Sequence, residues 1–132
     1  METAMARQGE SSWEVTFYET PQGVHPAEEW LKEQGPKVGA RFGRVFDLLE
    51  EHGTNVTGPY VAHVRSKLWE VRVEQEKVQR RLLYFTALGR KFIILHGYVK
   101  KTQKTPPREI EVSEQRMKDY MNRWERAQRK GR

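Results

Sequence analysis

A small α+β domain, with a mostly antiparallel sheet, two N-terminal helices and a C-terminal helix, is predicted by three features of this 132-residue chain. Apolar residues recur at helical spacing in one early stretch and at the C-terminal end, they alternate with period two in the middle, and Gly and Pro punctuate the junctions. The length suits one domain with a single hydrophobic core. We place it at residues 13–125, between a polar tail at 1–12 and a basic tail at 126–132.

Trp13, Val15 and Phe17 alternate with Glu14, Thr16 and Tyr18, the pattern of a half-buried strand. Pro21 and Gly23 turn the chain, and Pro26 suits the first position of a short helix reaching about Gln34. Beyond Gly35 and Pro36, Val38, Phe42, Val45 and Leu49 mark a second helix that Gly53 stops. Residues 54–59 read as loop. From Tyr60 the period becomes two: Trp69, Val71 and Val73 face a core, while Glu70, Arg72 and Glu74 face a polar surface. Glu76 and Lys77 tip a hairpin, residues 81–86 return, and Leu88, Gly89 and Arg90 turn into the strand 91–99, the most apolar and the expected centre of the sheet. A cationic loop at 100–107 leads to a helix with the stripe Ile110, Met117, Tyr120, Met121 and Trp124, whose end, ERAQRKGR, is expected to fray. Trp69, Tyr84, Tyr120 and Trp124 are assigned to the core.

Charge is distributed unevenly along this frame. Residues 64–108 hold twelve Lys and Arg against three Glu, a net of +9, whereas the residues before them sum to −5 and those after to +2. A basic face on a sheet is the footprint of a polyanion partner, RNA or DNA. The acidic N-terminal half is the less suitable surface for RNA.

Several chemistries lack their residues. The chain has no cysteine, which removes disulfides and thiolate chemistry. There is no phosphate-binding glycine loop, Ser11, Ser12, Ser66 and Ser113 lie in no nucleophile elbow, and His25, His52, His63 and His96 lack the spacing of a metal pair. We expect no metal centre and no cofactor. No apolar run nears the ~20 residues of a membrane span, and METAMARQGESS lacks a signal-peptide core, so a soluble, cytoplasmic protein without a membrane partner is expected. What remains is a cationic site that can stabilise charge on a phosphodiester as it is cleaved, Arg through its planar fork and Lys as a point charge.

The segments KLWEVR, RRLLYF and IILHGYVKKTQKTPPREIEVSEQR, in that order and spacing, resemble the RelE/HigB superfamily of toxin endoribonucleases, most closely its HigB branch and related phage-derived proteins. The likeness covers residues 13–125 and is most specific in 67–116. It implies a RelE-like fold and a toxin neutralised by an antitoxin, with a helix-turn-helix domain, encoded beside it. It also implies metal-independent cleavage of messenger RNA on the ribosome, with contacts to ribosomal RNA and attack by a 2′-hydroxyl on the scissile phosphate.

Carried over by position, Arg72 matches the second cationic site of its strand, and Glu70 stands where the best-known relatives have a first catalytic Lys. Arg81 matches the strand Arg before an apolar-apolar-Tyr sequence, with Arg80 a neighbouring phosphate contact. The cation after the last strand falls on Lys100 or Lys101, and Lys104 extends that loop; Lys67 joins the phosphate-binding set. The late Tyr or His acid of the family has no assigned equivalent. His96 and Tyr98, two residues apart, share a strand face as candidate proton-transfer or base-stacking groups. The implied catalytic set is therefore Arg72, Arg81, His96 and Lys101, and the RNA-binding set Lys67, Arg80, Tyr98, Lys100 and Lys104.

Bland readings stand beside these. Arg72 and Arg81 pair equally well with Glu70 or Glu74 across the hairpin, the lysines suit a solvated loop, and His96 and Tyr98 suit structural roles. At the level of the whole chain, the alternative to a nuclease is a catalytically silent RNA-binding or partner-binding relative. Sequence-specific DNA binding ranks below both, for want of a helix-turn-helix motif.

Overall fold

The computed structural model describes residues 12–130; nearly all of the expected N-terminal tail and residues 131–132 lie outside the described residues. Strand β1 (Glu14–Phe17) is followed by helices α1 (Pro26–Glu33) and α2 (Pro36–His52), a 3₁₀ turn (Gly53–Asn55), strands β2 (Val61–Arg65), β3 (Leu68–Gln75), β4 (Val78–Ala87) and β5 (Lys91–Lys100), and helix α3 (Pro107–Lys130). The α+β class and the order of elements are those expected. Helix α3 continues through ERAQRK to Lys130, with its last residues exposed.

The five strands lie in the order β1-β5-β4-β3-β2. Neighbours are antiparallel except β1 and β5, which run parallel with Glu14 opposite Lys91 and Phe17 opposite Ile94. The apolar strand β5 is therefore interior but not central; β4 holds the middle. The β3–β4 hairpin closes with Gln75 opposite Val78, and Glu76 and Lys77 both take positive φ, 53° and 67°. That is the signature of a two-residue turn whose twist matches the strands it joins.

Two apolar clusters, not one core, hold the layers together. On one face Ala27, Val38, Phe42, Val45 and Leu49 of α1 and α2 pack on Val71, Val73, Leu82, Tyr84, Phe92 and Ile94. On the other, Ile110, Met117, Tyr120 and Met121 of α3 pack against Tyr18, Leu68, Phe85, Ile93 and Leu95. A sheet covered on both sides lets a modest apolar content bury each helix along one stripe. Gly97 on β5 allows the Trp30 ring of α1 to lie on the strand, where any Cβ would collide with it. Trp69, assigned to the core, is instead 37% exposed near the sheet edge, against His63. Tyr84 is buried as expected, while Tyr120 and Trp124 are half-buried.

A one-residue register shift between β4 and β5 decides what the α3 side of the sheet displays. Phe85 pairs with Ile93 but Leu83 pairs with His96, so β5 carries an extra residue, Leu95. A bulge of this kind reverses the alternation beyond it. Ile93 and Leu95 lie under α3, and His96, Tyr98 and Lys100 continue on that same face, where unbroken alternation would have turned them away.

Candidate phosphate-binding site

Past the bulge, three rows of cross-strand neighbours form a grid on the α3 side of the sheet. Glu70, Leu83 and His96 make the first row, Arg72, Arg81 and Tyr98 the second, and Glu74, Gln79 and Lys100 the third. Strand spacing sets adjacent members of a row about 5 Å apart. Arg72, Arg81, His96, Tyr98 and Lys100 are thus gathered in one place, with the loop carrying Lys101 and Lys104 leaving from the end of the third row.

The centre of the grid is an ion cluster. Glu70 is 2% exposed; one carboxylate oxygen, Oε2, accepts a hydrogen bond from Arg72 Nε at 3.0 Å and lies 3.5 Å from Arg81 Nε. Arg81 is buried too, and its guanidinium donates from Nη1 to the Arg80 carbonyl at 2.9 Å and from Nη2 to Gln79 Oε1 at 3.1 Å. Burial lowers the Arg81 pKa, Glu70 opposes that shift, and Arg72 adds to it. The polar face expected for β3 is therefore dry at Glu70. Only Arg72, with 42% of its side chain exposed, carries the cluster's charge to solvent. Three buried polar atoms of this cluster lack a well-formed hydrogen bond: Glu70 Oε1, Arg81 Nε and the Tyr98 hydroxyl. Burial raises the Tyr98 pKa, with Thr105 opposing it.

His96 is held at both nitrogens. Its Nε2 lies 2.6 Å from Glu109 Oε1 at the start of α3, and its Nδ1 lies 3.3 Å from Arg116 Nη1, which also donates to the Leu95 carbonyl at 2.8 Å. A guanidinium only donates, so Nδ1 accepts, and the neutral ring carries its proton on Nε2, toward Glu109. The ring stacks beside Tyr98 with centroids 6.3 Å apart. Burial lowers the His96 pKa below 6.5, the Glu109 hydrogen bond and charge oppose this, and Arg116 and Arg108 reinforce it.

A group whose folded pKa is depressed in this way takes up its proton in the unfolded chain first. Stability is therefore lost as pH falls below the ordinary His value toward the folded one, and is intact above it. We expect the thermal midpoint of the wild type to fall more steeply than that of His96→Gln between about pH 6.5 and 5, before carboxylates titrate. Parallel curves across that window would contradict this account of His96.

The remaining candidates are scattered. Lys101 and Lys104 are exposed on a loop where Thr102 Oγ1 donates to the Lys104 carbonyl, and Lys100 is half-buried. Arg80 points to the opposite face of the sheet and donates from Nε to Gln34 Oε1 at 2.9 Å. Lys67 lies at the far end of β3, lining a groove with Leu88, Tyr120 and Trp124. Neither joins the grid. The residues not foreseen are Gln79, Thr105, Glu109 and Arg116. Glu109 and Arg116 reach His96 from an element whose docking no local pattern announces. Among the described residues, no three His, Asp or Glu side chains are grouped to hold a metal ion, and no helix is long and apolar enough to cross a membrane.

A search of curated proteins finds no match to the chain. Residues 29–118, from α1 to the middle of α3 and including every strand but β1, match the protein family described as Phage derived protein Gp49-like (DUF891). With well over half of its length matched, the chain belongs to the Gp49-like phage-derived family, part of the RelE/ParE-like toxin superfamily of toxin–antitoxin systems.

Proposed function

We propose that this protein is a HigB-like toxin that cleaves messenger RNA on the ribosome without a metal ion. Its family implies an antitoxin partner; we take that partner to carry a helix-turn-helix domain and to be encoded alongside. The observation that carries the nuclease reading is the row Arg72, Arg81 and Tyr98, set beside Lys100 and the exposed Lys101 and Lys104. In this reading the 2′-oxygen bonds to phosphorus as the bond to the 5′-oxygen breaks, giving a 2′,3′-cyclic phosphate and a 5′-hydroxyl. The 2′-proton departs and the 5′-oxygen gains one. Charge grows on the phosphoryl oxygens, where exposed Arg72 contacts them and buried Arg81 supplies a fixed charge from the adjacent strand. Lys101 and Lys104 hold neighbouring phosphates and ribosomal RNA. The His96–Glu109 couple, from the row beside it, is the proton-handling pair of this reading. Action at the ribosome places the protein in the cytoplasm.

Protein stripped with EDTA and desalted, then added to an initiated ribosome complex on a defined transcript, is expected to yield fragments ending in a cyclic phosphate. An intact transcript would sink the enzyme reading. One observation favours a second reading, a silent RNA-binding relative: a single buried carboxylate, Glu70, lies against both arginines. Salt-dependent RNA binding with no fragment would establish that alternative.

A further inference from the structure

Around the edge of the sheet from the grid lies a cleft of about 500 Å³ that shares only Arg72 with the predicted site. Strand β2 begins at Val61, opposite Val71, so the edge of β3 beyond that point is not covered by a paired strand. Helix α2 overhangs it. Arg41 and Arg44 come from that helix, Arg72 and Glu74 from β3, Tyr60 from the segment leading into β2, and Val45 from the apolar stripe beneath. Arg41 and Arg44, three apart on a helix, are neighbours on its surface. Both are exposed, and neither side chain is ion-paired to a described residue. Glu74 is the one anion of the lining, and its Oε1 already accepts a hydrogen bond from Gln79.

Two further features give this cationic cleft a direction. Tyr60 is 45% exposed, while its carbonyl accepts from the Arg72 amide at 2.9 Å, fixing that segment beside the grid. Arg72 therefore belongs to both places, ion-paired to Glu70 in one and lining the cleft in the other. Three arginines lining one cleft beside an exposed aromatic ring match a single-stranded nucleic acid, whose phosphates recur along the chain and whose every base has a face to stack. An acidic peptide would satisfy the arginines but has no need of the ring.

We infer that the Arg41–Arg44–Tyr60 cleft binds the single-stranded RNA that flanks the phosphate at Arg72, one base stacking on Tyr60 and the next phosphates lying along α2. The inference rests on the RNA-cleavage reading for the identity of the polyanion but not for cleavage itself. It also revises the expectation that the acidic N-terminal half is the less suitable surface for RNA, because that half's net charge hides two arginines on one helix face.

The test uses a 2′-O-methylated single strand, which cannot be cleaved, and fluorescence anisotropy over a salt series. Arg41→Ala/Arg44→Ala is expected to weaken binding about ten-fold at low salt and to flatten the slope of log affinity against log salt by about 1.4, two phosphate contacts' worth. Tyr60→Ala is expected to weaken it about ten-fold with the slope unchanged, and Tyr60→Phe to restore it. Wild-type affinity in both the double variant and Tyr60→Ala overturns the inference. An acidic peptide that binds as tightly as the RNA and loses as much on Tyr60→Ala overturns it in favour of a protein partner. A protein that cleaves nothing yet shows these losses fails as a nuclease while the cleft stands.

Discussion

Arg81→Ala is expected to slow cleavage of a ribosome-bound transcript by at least about ten-fold, the equivalent of ~1.4 kcal/mol of transition-state stabilisation. The expectation follows from where the guanidinium sits. It is buried, held by the Arg80 carbonyl and Gln79, and opposite the exposed Arg72 on the neighbouring strand. A charge fixed in a dry setting stabilises developing negative charge without having to reorganise. Arg81→Lys keeps the charge but loses the fork and the two anchoring hydrogen bonds, so it should recover only part of the rate. Because either change disturbs a buried ion pair, rates are to be compared at a temperature where circular dichroism shows each variant folded. Full activity in folded Arg81→Ala would remove this residue from the mechanism.

Glu70→Ala should have the largest effect on stability, a loss of about 3–5 kcal/mol, the usual cost of removing one partner from a buried pair. With the carboxylate gone, Arg81 is left buried without a counter-charge and with Arg72 as its neighbour across the strands. The compensating experiment is Glu70→Leu with Arg81→Met, which replaces the pair by apolar side chains of similar volume. That double variant should regain most of the lost stability, and denaturant unfolding would measure both. Equal losses in the single and double variants would mean that packing, not the unpaired charge, sets the cost. Glu70→Gln separates stability from binding. Removing the negative charge while keeping the shape should lower stability but raise affinity for single-stranded RNA, since Arg72 is then no longer neutralised from within.

Much of the fold was legible because the local signals agree with one another. Pro26 and Pro36 open helices, Gly53 closes one, and the stripe Val38, Phe42, Val45 and Leu49 is the set of α2 residues that is buried. The site was less legible, for a physical reason visible at Glu70. Alternation in β3 separates two faces, but which face is dry depends on what the following strands bring beside it: Arg81, from β4, lies against Glu70 and turns an expected surface carboxylate into a buried one. The same limit applies to Arg80 and Arg81, whose adjacency in sequence puts them on opposite sides of the sheet. His96 and Tyr98 do share a face, as their spacing requires. That this face is the one holding Arg81 depends on the bulge at Leu95, which no residue of the strand announces.

The parallel pairing of β1 with β5 has a consequence for how the molecule comes into being. Glu14, among the first residues of the fold, is completed by Lys91, so the earliest strand stays without its partner until the last strand has been made. Contacts this distant in sequence slow folding, because the loop must be closed before they contribute. They also order it. The grid draws Tyr98 and Lys100 from that last strand, and Glu109, which holds His96, comes from the helix after it, so a partly synthesised chain has Arg72 and Arg81 without these neighbours. The cationic site is among the last parts of the protein to form, so its geometry belongs to the finished chain.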